Sequence, residues 1–209
     1  MEVTAFPREE LDIARSDAAR ETLAKVKPEL VINAASVTSL EICEEKPALS
    51  RKVNCEAPEE WAKECGRVGA QFVHLGTDYI FDGKKTSAYL PTDPASPLSR
   101  YGRDKAEGEK RVLQANPHAL VVRLAWVYGN GGKTFMSKLP GILAEREVVE
   151  LAGGRTGSCT YAGEAARIIL DLAGKKAEGI FHGVQAGTTT WKAFAQKALE
   201  MMKTKSGKV

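Results

Sequence analysis

The feature that most constrains this chain is a change of period along its length. Residues 29–34 (ELVINA), 71–75 (QFVHL) and 119–124 (ALVVRL) are rich in β-branched residues and almost continuously apolar, while the stretches between them carry apolar residues at helical spacing. A strand with one wet face alternates apolar and polar residues. A run without that alternation is covered on both faces, as parallel strands flanked by helices are. The order strand, helix, strand therefore predicts an α/β fold: a doubly wound, Rossmann-type parallel sheet with helices on both faces. A chain of 209 residues can build that sheet and a small C-terminal lobe besides.

Local signals place the helices. Pro58 suits a first helical turn, Trp61, Ala62, Cys65 and Val68 then share one face, and Gly69 closes the run. A second helix is predicted over 99–115, stopped by Asn116-Pro117 because proline disfavours helical geometry in the residue before it. A third runs from Gly163 to Leu172 and ends at Gly174, and a short strand follows at 179–182. Thr190 is a candidate N-cap for a last helix carrying Trp191, Phe194, Ala195, Ala198, Leu199 and Met202 on its inner face.

Several function classes are excluded. The longest apolar stretches, such as 119–122, fall far short of the roughly 18 residues that cross a bilayer. Thirty Lys and Arg against 27 Asp and Glu give a net charge of +3, and the two signs interleave, so no basic stripe for nucleic acid emerges. The start resembles neither a signal peptide nor a transit peptide, so a cytoplasmic location is expected. Cys43, Cys55, Cys65 and Cys159 match no metal or redox spacing and read as reduced thiols. His74, His118 and His182 are scattered, so no metal site is expected.

The chemistry concentrates at Tyr101 and Lys105, four residues apart and therefore one turn apart on one helix face. Alone that spacing is weak. One strand earlier, however, the run 71–75 leads into Gly76-Thr77-Asp78-Tyr79, and the strand before that ends in Asn33-Ala34-Ala35-Ser36. Ligands of open α/β sheets bind at such carboxyl ends, and the small residues of the second let a flat cofactor lie close to the backbone.

These motifs, with Glu10-Leu-Asp-Ile13, Val53-Asn54, Gly76-Thr-Asp-Tyr-Ile-Phe-Asp-Gly83, Arg123-Leu-Ala-Trp-Val-Tyr-Gly129, Thr160-Tyr-Ala162 and Gly187-Thr-Thr-Thr-Trp191, resemble the dTDP-4-dehydrorhamnose reductase family of extended short-chain dehydrogenase/reductases over nearly the whole chain. The resemblance implies NADPH- or NADH-dependent reduction of a nucleotide-linked 4-keto-6-deoxy sugar. It implies Tyr101 as proton donor, its pKa brought down by Lys105, which also bonds the nicotinamide ribose. Thr77 holds the carbonyl oxygen, and Asp78 and Trp126 touch the sugar nucleotide. Asp12 and Ile13 fall beside the adenine, and Ala34, Ala35, Ser36, Val37 and Thr38 line the strand end beneath the cofactor. Residues 1–127 and about 160–182 correspond to the nucleotide-binding domain, and 128–159 and 183–209 to a substrate lobe. The motifs leave open a non-catalytic partner resembling the methionine adenosyltransferase β subunit, a sugar-nucleotide epimerase or dehydratase, and a homodimer as the assembly.

The resemblance also sets an expectation about what is missing. Family members open with a strand, a glycine-rich turn and a helix that cradle the pyrophosphate. Here residues 2–6 resemble the second strand, so a truncated version of such an enzyme is expected in preference to a genuine product that has lost nucleotide binding, with a gap in the sheet and no phosphate cradle. The C-terminal lobe also reads as short, and Cys159 stands where the family has proline.

Overall fold

The three apolar runs become strands in the computed structural model, which describes residues 2–132, 134–145, 148–151 and 154–206. In chain order the elements are α1 (Ala18–Val26), β1 (Leu30–Asn33), α2 (Leu40–Glu45), α3 (Pro47–Arg51), a π-helical turn (Lys52–Glu56), α4 (Ala57–Val68), β2 (Gln71–Thr77), a 3₁₀ turn (Asp78–Ile80) and α5 (Arg100–Ala115). There follow β3 (Leu120–Leu124), β4 (Val127–Tyr128), α6 (Phe135–Glu145), β5 (Thr156–Gly157), β6 (Thr160–Tyr161), α7 (Ala162–Gly174), β7 (Gly179–His182), β8 (Thr189–Thr190) and α8 (Trp191–Ser206). They form two compact units, one of Met1–Arg123 with Ile169–His182, the other of Leu124–Ile168 with Gly183–Val209.

The first unit holds a four-stranded sheet in the order β1-β2-β3-β7. β1 runs parallel to β2, with Leu30 opposite Gln71 and Asn33 opposite His74, and β3 runs parallel to β7. Val31, Phe72, Val121 and Ile180, one from each strand, share a core with Leu23 of α1, Trp61 and Cys65 of α4 and Val112 of α5. Each such large side chain withdrawn from water contributes about 1.5–3 kcal/mol, which is what holds the helices on the sheet.

Two expectations need correction. Residues 2–6 form no strand, because they enter no ladder. The four strands are accordingly contiguous, with β1 at one edge in place of an internal gap, and Ile32 of that edge strand is 40% exposed despite its apolar side chain. Pro58 falls in the first turn of α4, as expected, but the helix does not begin afresh there. It continues from α3 through the π turn, in which Ala57 N–H reaches back to Lys52 O. Pro58 has no N–H to close an α-helical bond to residue 54, and the helix widens over the five residues before α4. The widening directs Asn54 inward, 1% exposed. Val68 lies outside the core, while Trp61, Ala62 and Cys65 are buried.

Other local signals act as the sequence suggests. The Ser99 hydroxyl caps α5 by accepting from Gly102 N–H at 3.1 Å, and Thr190 caps α8 by accepting from Ala193 N–H at 3.1 Å. In the second unit β4 pairs with β6 in parallel and β5 with β8 antiparallel, and α6 packs on α8. Among the described residues no helix is long and apolar enough to cross a membrane. All four cysteines are free thiols.

Helix α5 lies unusually close to the π turn: a Cβ on Gly108 would fall 2.3 Å from Asn54 O and 3.2 Å from Cys55 Cα. Gly108→Ala is therefore expected to destabilise the fold by about 1–3 kcal/mol through overpacking, although alanine is the better helix former by about 1 kcal/mol. A urea midpoint equal to that of the unmodified protein would contradict this close approach.

Candidate active site

The site is built where α5 crosses the carboxyl end of β2. Glycine makes the crossing possible: a Cβ on Gly102 would fall 2.2 Å from Tyr79 O, so only glycine lets the first turn of α5 rest on the 3₁₀ turn. That turn is itself capped by Thr77, whose Oγ1 accepts from Tyr79 N–H at 3.3 Å and donates to Asp78 Oδ1 at 3.3 Å. Tyr79 packs edge-on against the Tyr101 ring, with centroids 5.6 Å apart. Tyr101, Lys105 and Thr77 are thereby brought together and are 8%, 2% and 6% exposed.

The loop after β1 closes the other side. Asn54 holds it: Oδ1 accepts from Ser36 Oγ at 2.8 Å and from Val37 N–H at 2.9 Å, and Nδ2 donates to Val37 O at 3.0 Å. Burial pushes the Tyr101 phenol up to about 12, against the Thr77 and Ser36 hydroxyls, which favour the phenolate. The expected lowering by Lys105 is therefore not what the arrangement produces. Lys105 turns its Nζ toward β2, where it lies 3.1 Å from His74 Nε2 and donates to Leu75 O at 2.5 Å. Burial brings its pKa down to about 8, with Glu109 acting in the opposite direction.

The remaining residues singled out from the sequence divide by place. Ala34, Ala35 and Thr38 are exposed on the loop after β1, and Ser36 and Val37 are half-buried in it. Asp12 and Ile13 are held elsewhere in this unit, with Ile13 O accepting from Trp61 Nε1 at 3.2 Å. Trp126 belongs to the second unit, where its ring stacks on Trp191 at 4.5 Å and its backbone holds a left-handed φ of 42°. Gly157 admits that stack, since a Cβ there would fall 2.7 Å from the Trp126 ring.

The sequence alone assigns no individual role to Asn33, His74, Asn54, Glu109 or Arg123. Glu109, one turn beyond Lys105, forms a buried ion pair with Arg123 of β3 at 2.9 Å, and its other oxygen rests against Gly76. The available signal was a polar residue inside an apolar run, true of both His74 and Arg123, and a Tyr-Lys-Glu spacing of i, i+4, i+8.

A parallel sheet with a buried Tyr-Lys pair on the following helix and a Thr at the strand end is the arrangement that the resemblance to extended short-chain dehydrogenase/reductases implies. Known proteins narrow this further. The RmlD substrate binding domain model matches residues 1–209. A dTDP-4-dehydrorhamnose reductase of Streptomyces griseus is 35% identical over 206 residues, covering 96% of this chain and 68% of that protein. The crystal structure of a dTDP-4-dehydrorhamnose reductase from Clostridium acetobutylicum superposes with a TM-score of 0.92 at 31% identity, covering 96% of this chain and 71% of that one. One from Bacillus anthracis, solved in complex with NADP, gives 0.92 at 26% identity over 97% of this chain and 72% of that chain. The chain belongs to the RmlD family of dTDP-4-dehydrorhamnose reductases.

Asp78 yields a test of the site's electrostatics. Burial raises its carboxyl from 3.8 to about 6, against hydrogen bonds from Thr77 and Tyr79. The folded state thus binds this proton more tightly than the unfolded chain, and the stability so gained is present below about pH 4 and lost as pH rises through 6. Asp78→Asn is expected to raise the melting temperature relative to the unmodified protein at pH 7.5, with the difference closing by pH 4. An equal difference at both pH values would contradict the burial of this carboxylate.

Proposed function

We propose that this protein uses NADPH or NADH to reduce the 4-keto group of a nucleotide-linked 6-deoxy sugar, dTDP-4-dehydrorhamnose, in dTDP-rhamnose biosynthesis in the cytoplasm. The observation that carries the reading is the buried Tyr101 phenol, faced by the Thr77 and Ser36 hydroxyls and one helical turn from Lys105. The NADP bound to the Bacillus anthracis relative supports the cofactor class.

The donor set present fits the nicotinamide-ribose end of such a cofactor: a buried amine, a phenol and hydroxyls beside small strand-end residues. Lys105, Tyr101 and residues 34–38 would hold that end, and Asp12 and Ile13 the adenine end. Among the described residues no glycine-rich turn joins a strand of the four-stranded sheet to a helix. When bound, the nicotinamide supplies the hydride. The chain's own residues manage the carbonyl oxygen. Tyr101, with a pKa near 12, remains protonated at neutral pH, which is the state a proton donor needs in a reduction. The alkoxide formed from a ketone is more basic still, so the proton moves downhill. Thr77 Oγ1 offers a second donor to that oxygen. Asp78, hydrogen-bonded to Thr77 at the same strand end, orients the sugar.

Removing the proton while keeping the ring isolates the chemical role. Tyr101→Phe is expected to lower kcat by about 10²–10⁴, with KM and melting temperature little changed, when NADPH consumption is followed with dTDP-4-dehydrorhamnose. A Tyr101→Phe enzyme with undiminished kcat would remove Tyr101 from the reaction.

A further inference from the structure

Asn33, His74 and Lys105 form a buried chain of polar groups across β1, β2 and α5. Asn33 and His74 are direct cross-strand partners, and the three residues are 7%, 1% and 2% exposed. His74 Nδ1 lies 3.3 Å from Asn33 Nδ2, and His74 Nε2 lies 3.1 Å from Lys105 Nζ. The Asn33 amide is not free to turn over, because its Oδ1 accepts from Ala35 N–H at 3.1 Å and reversal would set two donors against each other.

The proton inventory is then restrictive. A neutral imidazole has one donor and one acceptor nitrogen. Asn33 Nδ2 can only donate, so it requires Nδ1 to accept, which puts the ring proton on Nε2, facing Lys105. A Nε2–H is welcome to a neutral amine with a lone pair and unwelcome to an ammonium. His74 cannot escape by taking a second proton, since burial and then the Lys105 charge hold its pKa well below the ordinary value.

We propose that Asn33 and His74 are positioning residues for Lys105: Asn33 selects the His74 tautomer, and that tautomer weakens the hold of Lys105 on its proton. Lys105 then keeps a donor bond to Leu75 O in either state, and protonating it obliges His74 to move its proton to Nδ1 and Asn33 to give up either the ring or Ala35. The other charged group acting on the lysine is Glu109 of α5, which is paired with Arg123 of β3. The lowering of the Lys105 pKa to about 8 has the direction this requires. If the reductase reading holds, on which this consequence rests, Lys105 can exchange a proton beside Tyr101 near neutral pH.

NMR of the uniformly ¹³C,¹⁵N-labelled full chain tests the proposal without turnover, so its outcome is independent of the reductase reading. The His74 ring nitrogens report the tautomer and Lys105 Cε reports the titration. Above the Lys105 midpoint the unmodified protein is expected to show His74 as Nε2–H, a readout that needs no variant. Asn33→Asp, whose carboxylate accepts, is expected to convert the ring to Nδ1–H and to raise the Lys105 midpoint by at least about one pH unit, tenfold in proton affinity. Added charge alone would act with or without the ring, so the shift is expected to fall by half or more when His74→Phe is combined with Asn33→Asp. A Nδ1–H ring in the unmodified protein, an unmoved midpoint in Asn33→Asp, or a smaller reduction than half in the double variant overturns the proposal.

Discussion

Lys105 sets the terms for the whole sheet unit, because an amine 2% exposed cannot be left unsupported. Moving a charge out of water costs several kcal/mol even after relaxation, and an unpaired buried donor costs further. Around this one side chain the fold supplies Leu75 O and His74 from β2 and places Glu109 one turn further along α5. Glu109 in turn needs Arg123, and its approach to β2 needs a residue without a Cβ at Gly76. The same helix descends onto the turn after β2 and onto the π turn through Gly102 and Gly108. Polar satisfaction and close packing thus impose one geometry on α5, and Tyr101 takes its place at the start of that helix.

This geometry moves Tyr101 and Lys105 apart in acidity. Both are buried, but burial moves them in opposite directions: the phenol is kept protonated and the amine is made easier to deprotonate. A reduction needs a proton held ready beside a carbonyl, and a phenol that does not ionise in the resting site meets that need. The Asn54 side chain, turned inward by the π turn, holds Ser36 and Val37 by three hydrogen bonds, so the loop that faces the phenol is fixed by the same helical run that packs on α5.

Much of this is legible in the amino-acid sequence. The apolar runs without alternation located β1, β2 and β3, and Ser99 and Asn116-Pro117 bounded α5 to within a residue. The placing of Thr77, Ser36 and Tyr101 near one another is legible because they sit at strand ends and on the face of the following helix. What escaped has a common physical cause. The π turn depends on how Pro58 and the packing of α5 accommodate each other, a tertiary matter invisible to periodicity. Asn33, His74 and Arg123 look like ordinary members of apolar strands until the β1–β2 register pairs Asn33 with His74 and α5 brings Lys105 against His74 and Glu109 against Arg123. The strand expected at 2–6 fails because a strand is defined by its neighbour, and no ladder forms there.

The central claim is that this buried phenol, amine and hydroxyl group belong to a nicotinamide-dependent reductase, and cofactor binding tests it most directly. In a thermal-shift titration a ligand that binds the folded state must raise the melting temperature, by an amount equivalent to about 2.7 kcal/mol at a hundredfold excess over Kd. The melting temperature is predicted to climb with NADPH or NADH concentration in the unmodified protein and to climb less when Lys105 is changed to Met. A cooperatively melting protein whose transition stays fixed at millimolar concentrations of both nucleotides would contradict the claim.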